Sequence, residues 1–153
     1  AILQDGAATI HLVGEYKITG APGVYVFPYH NGKVTIVGTD ANAKINFDTT
    51  DKTLVQFSSA TELKNLQWRF AHKAGNMDIY SGPDLSVQEG VSFHCDNHGS
   101  IGENCIAIRG GYQKDSYQNA AIANKDVKIT VMSGKLSYIQ GGNGATATGS
   151  TII

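Results

Sequence analysis

Short runs of alternating apolar and polar residues, cut repeatedly by glycine-bearing turns, leave this chain little to build from except short β-strands. Apolar positions recur with period 2 at Ile10 and Leu12, Val24 and Val26, Val34 and Ile36, and Leu66, Trp68 and Phe70, then again at Val91, Phe93 and Cys95 and at Val127, Ile129 and Val131. The turns between them carry Asn31-Gly32, Gly82-Pro83-Asp84, Ser133-Gly134 and Gly141-Gly142-Asn143-Gly144. The segment best able to form a helix, residues 58–65, is long enough for only one or two turns, too little for a helical layer.

Composition agrees with an all-β chain and narrows its partners. Only 16% of the 153 residues are charged, and 18 are glycine, which favours turns over helices. Lys+Arg 12 against Asp+Glu 13 supplies no basic surface for nucleic acid or an anionic membrane. No window of about 18 apolar residues is present to span a bilayer. The length fits one domain covering residues 1–153. The opening Ala-Ile-Leu-Gln-Asp, without an initiator Met, is compatible with a segment of a longer protein. Asn-x-Ser/Thr triplets are absent, which favours a bacterial source.

Many short strands can make a sandwich, a barrel or a solenoid. Asn31-Gly32 is the one tight two-residue turn of hairpin type between strand-like runs. Strand-Gly-strand units instead recur irregularly, as at Val34–Gly38, Met77 through Gly90 and Val127 through Gly142. That spacing predicts coils of roughly 20 to 30 residues and hence about five to seven coils, with a β-sandwich as the alternative.

Ala8-Thr-Ile-His-Leu-Val-Gly-Glu-Tyr-Lys-Ile18, Lys33-Val-Thr-Ile-Val-Gly38 and Ala43-Lys-Ile-Asn-Phe47 resemble the opening coils of pectate-lyase-like right-handed parallel β-helix proteins. Asp126-Val-Lys-Ile-Thr-Val-Met-Ser-Gly134 through Gly144 is similar to the β-helical repeats of large bacterial surface and adhesin-like proteins. The resemblance covers about half the chain and implies a right-handed parallel β-helix in an extracellular or cell-surface setting. It implies no particular reaction.

Candidate chemistry concentrates between residues 94 and 109. Polygalacturonase-type motifs carry an Asp pair before a Cys-Ile-Ala-Ile-like run and a Gly-His-Gly turn after it. Here Glu103-Asn104 stands before Cys105-Ile-Ala-Ile108, while Asn97-His98-Gly99 comes earlier, so both the carboxylates and their order depart from the motif. Asp96, His98 and Glu103 are the alternative catalytic cluster, and Arg109 the cation a lyase would use. Calcium-ligating carboxylates are not evident: Asp40-Ala-Asn42 and Asp48-Thr-Thr-Asp51 read as solvated turns. His94, Cys95 and His98 are transition-metal ligand types, but His94 and His98 lie about 13 Å apart if the run is extended, so no metal or cofactor is expected. Cys95 and Cys105 can close a small loop as a disulfide, or sit as two buried thiols on neighbouring strands.

With Trp68 and Phe70 inward, Gln67 and Arg69 point outward; Ser92 and His94 do so opposite Phe93, and Lys128 and Thr130 opposite Ile129. Arg69, His94 and the aromatics Tyr80, Tyr112, Tyr117 and Tyr138 are the candidate ligand contacts, their rings suited to sugars. The apolar, strand-like Gly149-Ser-Thr-Ile-Ile153 is suited to further coils, another copy or a neighbour's sheet. The reading that joins these features is a non-catalytic structural or adhesive module. Its partners would be a host or matrix glycan or a second copy. The alternative is a lyase or hydrolase of acidic polysaccharide.

Overall fold

The computed structural model describes residues 6–21, 23–49, 52–71, 76–96, 105–111, 126–141 and 151–152. Fifteen strands run through them without a helix: β1 (Ala8–Leu12), β2 (Glu15–Gly20), β3 (Gly23–Phe27), β4 (Val34–Gly38), β5 (Lys44–Thr49), β6 (Thr53–Phe57), β7 (Thr61–Lys64), β8 (Gln67–Phe70), β9 (Met77–Tyr80), β10 (Asp84–Val87), β11 (Ser92–Cys95), β12 (Ile106–Arg109), β13 (Val127–Val131), β14 (Ile139–Gln140) and β15 (Thr151–Ile152). From β1 to β13 every third strand stacks on the one before, and β14 and β15 continue on β12 and β13. Sheet A is ordered β1-β4-β7-β10-β13-β15, sheet B β11-β8-β5-β2, and sheet C β14-β12-β9-β6-β3. The pairings between these strands are all parallel. The fold is a parallel β-solenoid, and the β-sandwich alternative falls away.

Successive coils can be followed along sheet A, where Ala8 pairs with Val34, Val34 with Thr61 and Thr61 with Leu85. These three steps are nearly equal and match the coil length expected from the sequence. The next step, from Leu85 to Ile129, is almost twice as long. The stack therefore makes about four turns, fewer than the five to seven expected from a uniform repeat. Residues 58–65, the candidate helix, contain β7 instead. Thr61 and Leu63 fall in register between Val34 and Ile36 on one side and Leu85 and Val87 on the other, and this pairing overrides the weak propensity of so short a helix.

The core is a set of columns running along the stack. Ile36, Leu63, Val87 and Val131 line sheet A, Ile45, Trp68 and Phe93 line sheet B, and Tyr25, Val55, Ile79 and Ile108 line sheet C; at the first coil Ile10 and Tyr16 continue two of these registers but are exposed. In β3 the alternation runs in the phase opposite to the one expected. Val24 and Val26 are 40% and 41% exposed, while Tyr25 and Phe27 turn inward against Phe47 and Phe57, at ring-centroid distances of 5.6 and 4.9 Å. When both parities are apolar, the larger aromatic area decides which face is buried.

Cys95 ends β11 and Cys105 immediately precedes β12. A disulfide joins them across the corner from sheet B to sheet C, with Cα atoms 5.8 Å apart and a sequence separation of 10. Closing a loop of that size is worth about 3 kcal/mol. Reduction, or a Cys95→Ser/Cys105→Ser variant, is therefore expected to lower the urea midpoint by that equivalent without changing the β-rich circular dichroism. An unchanged midpoint would mean that the coil is held without the bridge. Thr151–Ile152, the strand-like end, pairs with Val127–Lys128 as the outermost strand of sheet A. No helix among the described residues is long and apolar enough to cross a membrane.

Candidate functional site

The solenoid gathers the described candidates onto two faces. On sheet B, alternate residues of β2, β5, β8 and β11 point outward, and Lys17, Asn46, Arg69 and His94 stand in one register column. Arg69 and His94, a full coil apart in sequence, thus become neighbours across two strands. Asp96 follows β11 and joins them. It accepts from Arg69 Nη2 at 2.6 Å and Nε at 3.2 Å, and its Oδ1 lies 3.0 Å from His94 Nε2. The two-pronged hydrogen bond from Arg69, with the charges of Arg69 and His94, holds the Asp96 carboxyl below the usual carboxylate range, and Asp96 in turn raises Arg69.

The same face carries further pairs. Lys17 Nζ lies 2.7 Å from Asp48 Oδ2 and Lys44 Nζ 3.6 Å from Glu15 Oε2, while Asn46 Nδ2 donates to Glu15 Oε1 at 2.5 Å. That amide bond, with the charge of Lys44, keeps Glu15 below its ordinary value. On sheet A, Glu62 accepts from Lys33 and lies against Lys64, both at 2.5 Å. Hydrogen bonds from these two ammonium groups lower its pKa against the opposing effect of burial.

The second cluster lies on sheet C. Arg109 and Tyr80 are register partners on β12 and β9, and Asp78 sits one outward position before Tyr80. Asp78 is only 1% exposed and Tyr80 6%, so the Tyr80 ring is part of the packed face and offers no open stacking surface. Arg109 Nε lies 3.1 Å from Asp78 Oδ2, an ion pair in which neither atom completes an aligned hydrogen bond. The rest of the guanidinium donates to Gln140 Oε1 and Tyr138 Oη and stands 5.0 Å from the Tyr138 ring centre, within cation–π range. Burial pulls the Arg109 pKa down, but the charge of Asp78, with Tyr138 and Tyr80, outweighs it and leaves the group above its ordinary value. Burial, reinforced by the Asp78 charge, raises Tyr138, so its phenol stays protonated at neutral pH and acts as a donor.

His98, Glu103, Tyr112 and Tyr117 lie outside the described residues. Arg69, His94 and Asp96 come together on sheet B; Tyr80, Arg109 and Tyr138 come together on sheet C. Sequence reasoning misses Asp78 and Lys52, whose Nζ is 3.7 Å from Asp78 Oδ2. The available signal for Asp78 is a carboxylate at an outward position of Met77-Asp-Ile-Tyr80; Lys52 leaves none. Asp40, weighed as a cation ligand, instead accepts from the backbone N–H of Gly14 at 2.8 Å and of Asn42 at 2.7 Å. No group of three metal-ligating side chains occurs among the described residues. The chain matches no protein-family model, and neither a curated protein nor a solved structure matches it.

Proposed function

We propose that the chain is a non-catalytic structural and adhesive β-helix module of a bacterial surface protein, working outside the cell and holding glycan against its polar flanks. The observation that carries this reading is that the carboxylates of these faces are engaged by neighbouring amide and cationic groups. Glu15 accepts from Asn46, Glu62 lies against Lys33 and Lys64 and Asp96 accepts twice from Arg69, contacts that lower the pKa of all three. General acid catalysis of glycoside cleavage needs a carboxyl moved the other way. The Cys95–Cys105 disulfide supports an oxidising compartment, and the likeness to adhesin repeats agrees with it.

The sheet C cluster favours the second reading, a lyase or hydrolase of acidic polysaccharide, because Arg109 beside Tyr138 is a pair of the kind that neutralises a uronate. The raised phenol of Tyr138 argues against its serving as the base. Incubating the full chain with polygalacturonate, alginate and a panel of neutral polysaccharides separates the two. The adhesive reading expects co-sedimentation with at least one insoluble glycan and no new reducing ends or unsaturated product. Product release that disappears in Arg109→Ala would replace it with the enzyme.

A further inference from the structure

At the corner between sheets A and B the coils differ in length, and the difference makes a groove of ≈ 480 Å³. The second coil turns this corner through residues 39–43, whereas the third uses only Asn65 and Leu66 between β7 and β8. Residues of both turns line the groove. The longer turn is held in place by Asp40, whose two carboxylate oxygens accept from Gly14 and Asn42, and by the hydrogen bond from Thr39 to the Leu12 carbonyl.

Glycine keeps the floor close-packed. Asn65 takes the left-handed conformation at φ 48. A Cβ on Gly38 would come within 2.0 Å of the Asn65 carbonyl oxygen, and one on Gly90 within 2.2 Å of its Oδ1. The groove is therefore preformed, which limits the ordering a ligand must impose.

Its lining is neutral and rich in hydrogen-bonding groups. Asn42, Asn65, Gln67 and Ser92 face it, and the amide and hydroxyl groups of these four side chains make no hydrogen bond within the described residues. The two charged residues of the lining, Asp40 and Lys44, cancel in charge and are engaged already: Asp40 by backbone N–H groups and Lys44 by Glu15. No aromatic ring contributes to the lining among the described residues. Lys44, Gln67 and Ser92 are successive register partners, so the row spans two inter-strand steps, about 10 Å, or roughly two pyranose rings.

Free amides and a hydroxyl in a fixed row are complementary to vicinal hydroxyl groups, which both donate and accept. An anionic ligand would find no unpaired cation among the described lining residues, and a hard cation no free carboxylate. An extended peptide is held mainly by backbone pairing at a sheet edge, whereas this groove crosses three coils over side chains.

We propose that this corner groove is a binding site for a neutral oligosaccharide, entered through Asn42, Gln67 and Ser92. The proposal rests on the adhesive, glycan-holding reading and names its ligand class and place.

Isothermal titration of the full chain with neutral di- to tetrasaccharides of glucan, mannan, xylan and galactan, and with oligogalacturonate and oligoalginate, tests it. The expected result is saturable binding of a neutral oligosaccharide that changes less than about twofold between roughly 50 and 500 mM salt, since a neutral ligand forms no ion pair with the groove for salt to screen. Gln67→Ala and Ser92→Trp, both at outward positions, should each weaken it at least tenfold with an unchanged melting curve. Lys128→Ala, exposed on sheet A, should leave it intact. Neutral-sugar binding that survives both groove variants overturns the groove and leaves the adhesive reading standing. Binding only of acidic oligosaccharides, abolished by salt, overturns the groove in the same way. Binding of no saccharide removes both.

Discussion

Trp68→Ala is expected to cost about 3 to 5 kcal/mol, the usual penalty for emptying a buried large aromatic site. An ordinary domain has about 5 to 15 kcal/mol in total, so the variant should be marginal or unfolded. Trp68 is fully buried and joins two sheets. Its ring centre lies 5.3 Å from Phe47 on its own sheet and 5.9 Å from Phe57 on sheet C, and its indole N–H donates to Met77 Sδ at 3.0 Å. A solenoid has no second core layer behind such a residue, because each coil packs only on its neighbours. The cavity would therefore lie on the stack axis, where neither the coil above nor the coil below can move in without losing strand register. Urea unfolding followed by far-ultraviolet circular dichroism measures the loss. Trp68→Phe, which keeps the ring contacts and loses only volume and the N–H, should retain more than half the lost stability. A loss below about 1 kcal/mol in Trp68→Ala, well under the usual range, would show that the aromatic cluster is not what holds the second and third coils together.

That cluster also shows where sequence reading reaches its limit. Trp68 and Phe70 alternate cleanly with Gln67 and Arg69, so their burial and the outward placement of Arg69 were legible. The same holds for Phe93 against Ser92 and His94. In β3, Gly-Val-Tyr-Val-Phe, both parities are apolar, and alternation alone cannot assign the buried face; the rings of Phe47 and Phe57 do so from the coil that follows in sequence. Coil number failed for a related reason. A nearly constant repeat holds for three steps, from Ala8 to Leu85, and the much longer step from Leu85 to Ile129 carries no marker that distinguishes an enlarged coil from two ordinary ones.

The candidate faces were legible as residue types and illegible as neighbourhoods. Arg69, His94 and Asp96 each stand out by type, but their meeting depends on the register that sets Arg69 of β8 beside His94 of β11, which side-chain pattern does not encode. The corner groove was invisible for the same reason. Asn42, Gln67 and Ser92 become a row only when three corners of unequal length are stacked.

The pair least legible in sequence carries the other large expected effect. Asp78 and Arg109 come from successive coils and meet on sheet C with Asp78 almost completely buried. Arg109→Met leaves that carboxylate facing, among the described residues, Lys52 Nζ at 3.7 Å and the Tyr138 hydroxyl at 3.4 Å. Removing one partner of a buried pair costs about 3 to 5 kcal/mol, and the long, exposed Lys52 side chain, able to swing closer, puts the expectation near the lower end. Asp78→Leu should cost less, because the Arg109 side chain is 22% exposed and keeps Gln140 and Tyr138 as acceptors. The double variant Asp78→Leu/Arg109→Met removes both charges from the face and should return to within about 1 kcal/mol of the parent, since apolar replacement of a whole buried pair is often neutral. Chemical denaturation of all four proteins closes the cycle. Strictly additive losses would show that the two charges do not depend on each other, and the 3.1 Å approach would then be a consequence of strand register alone.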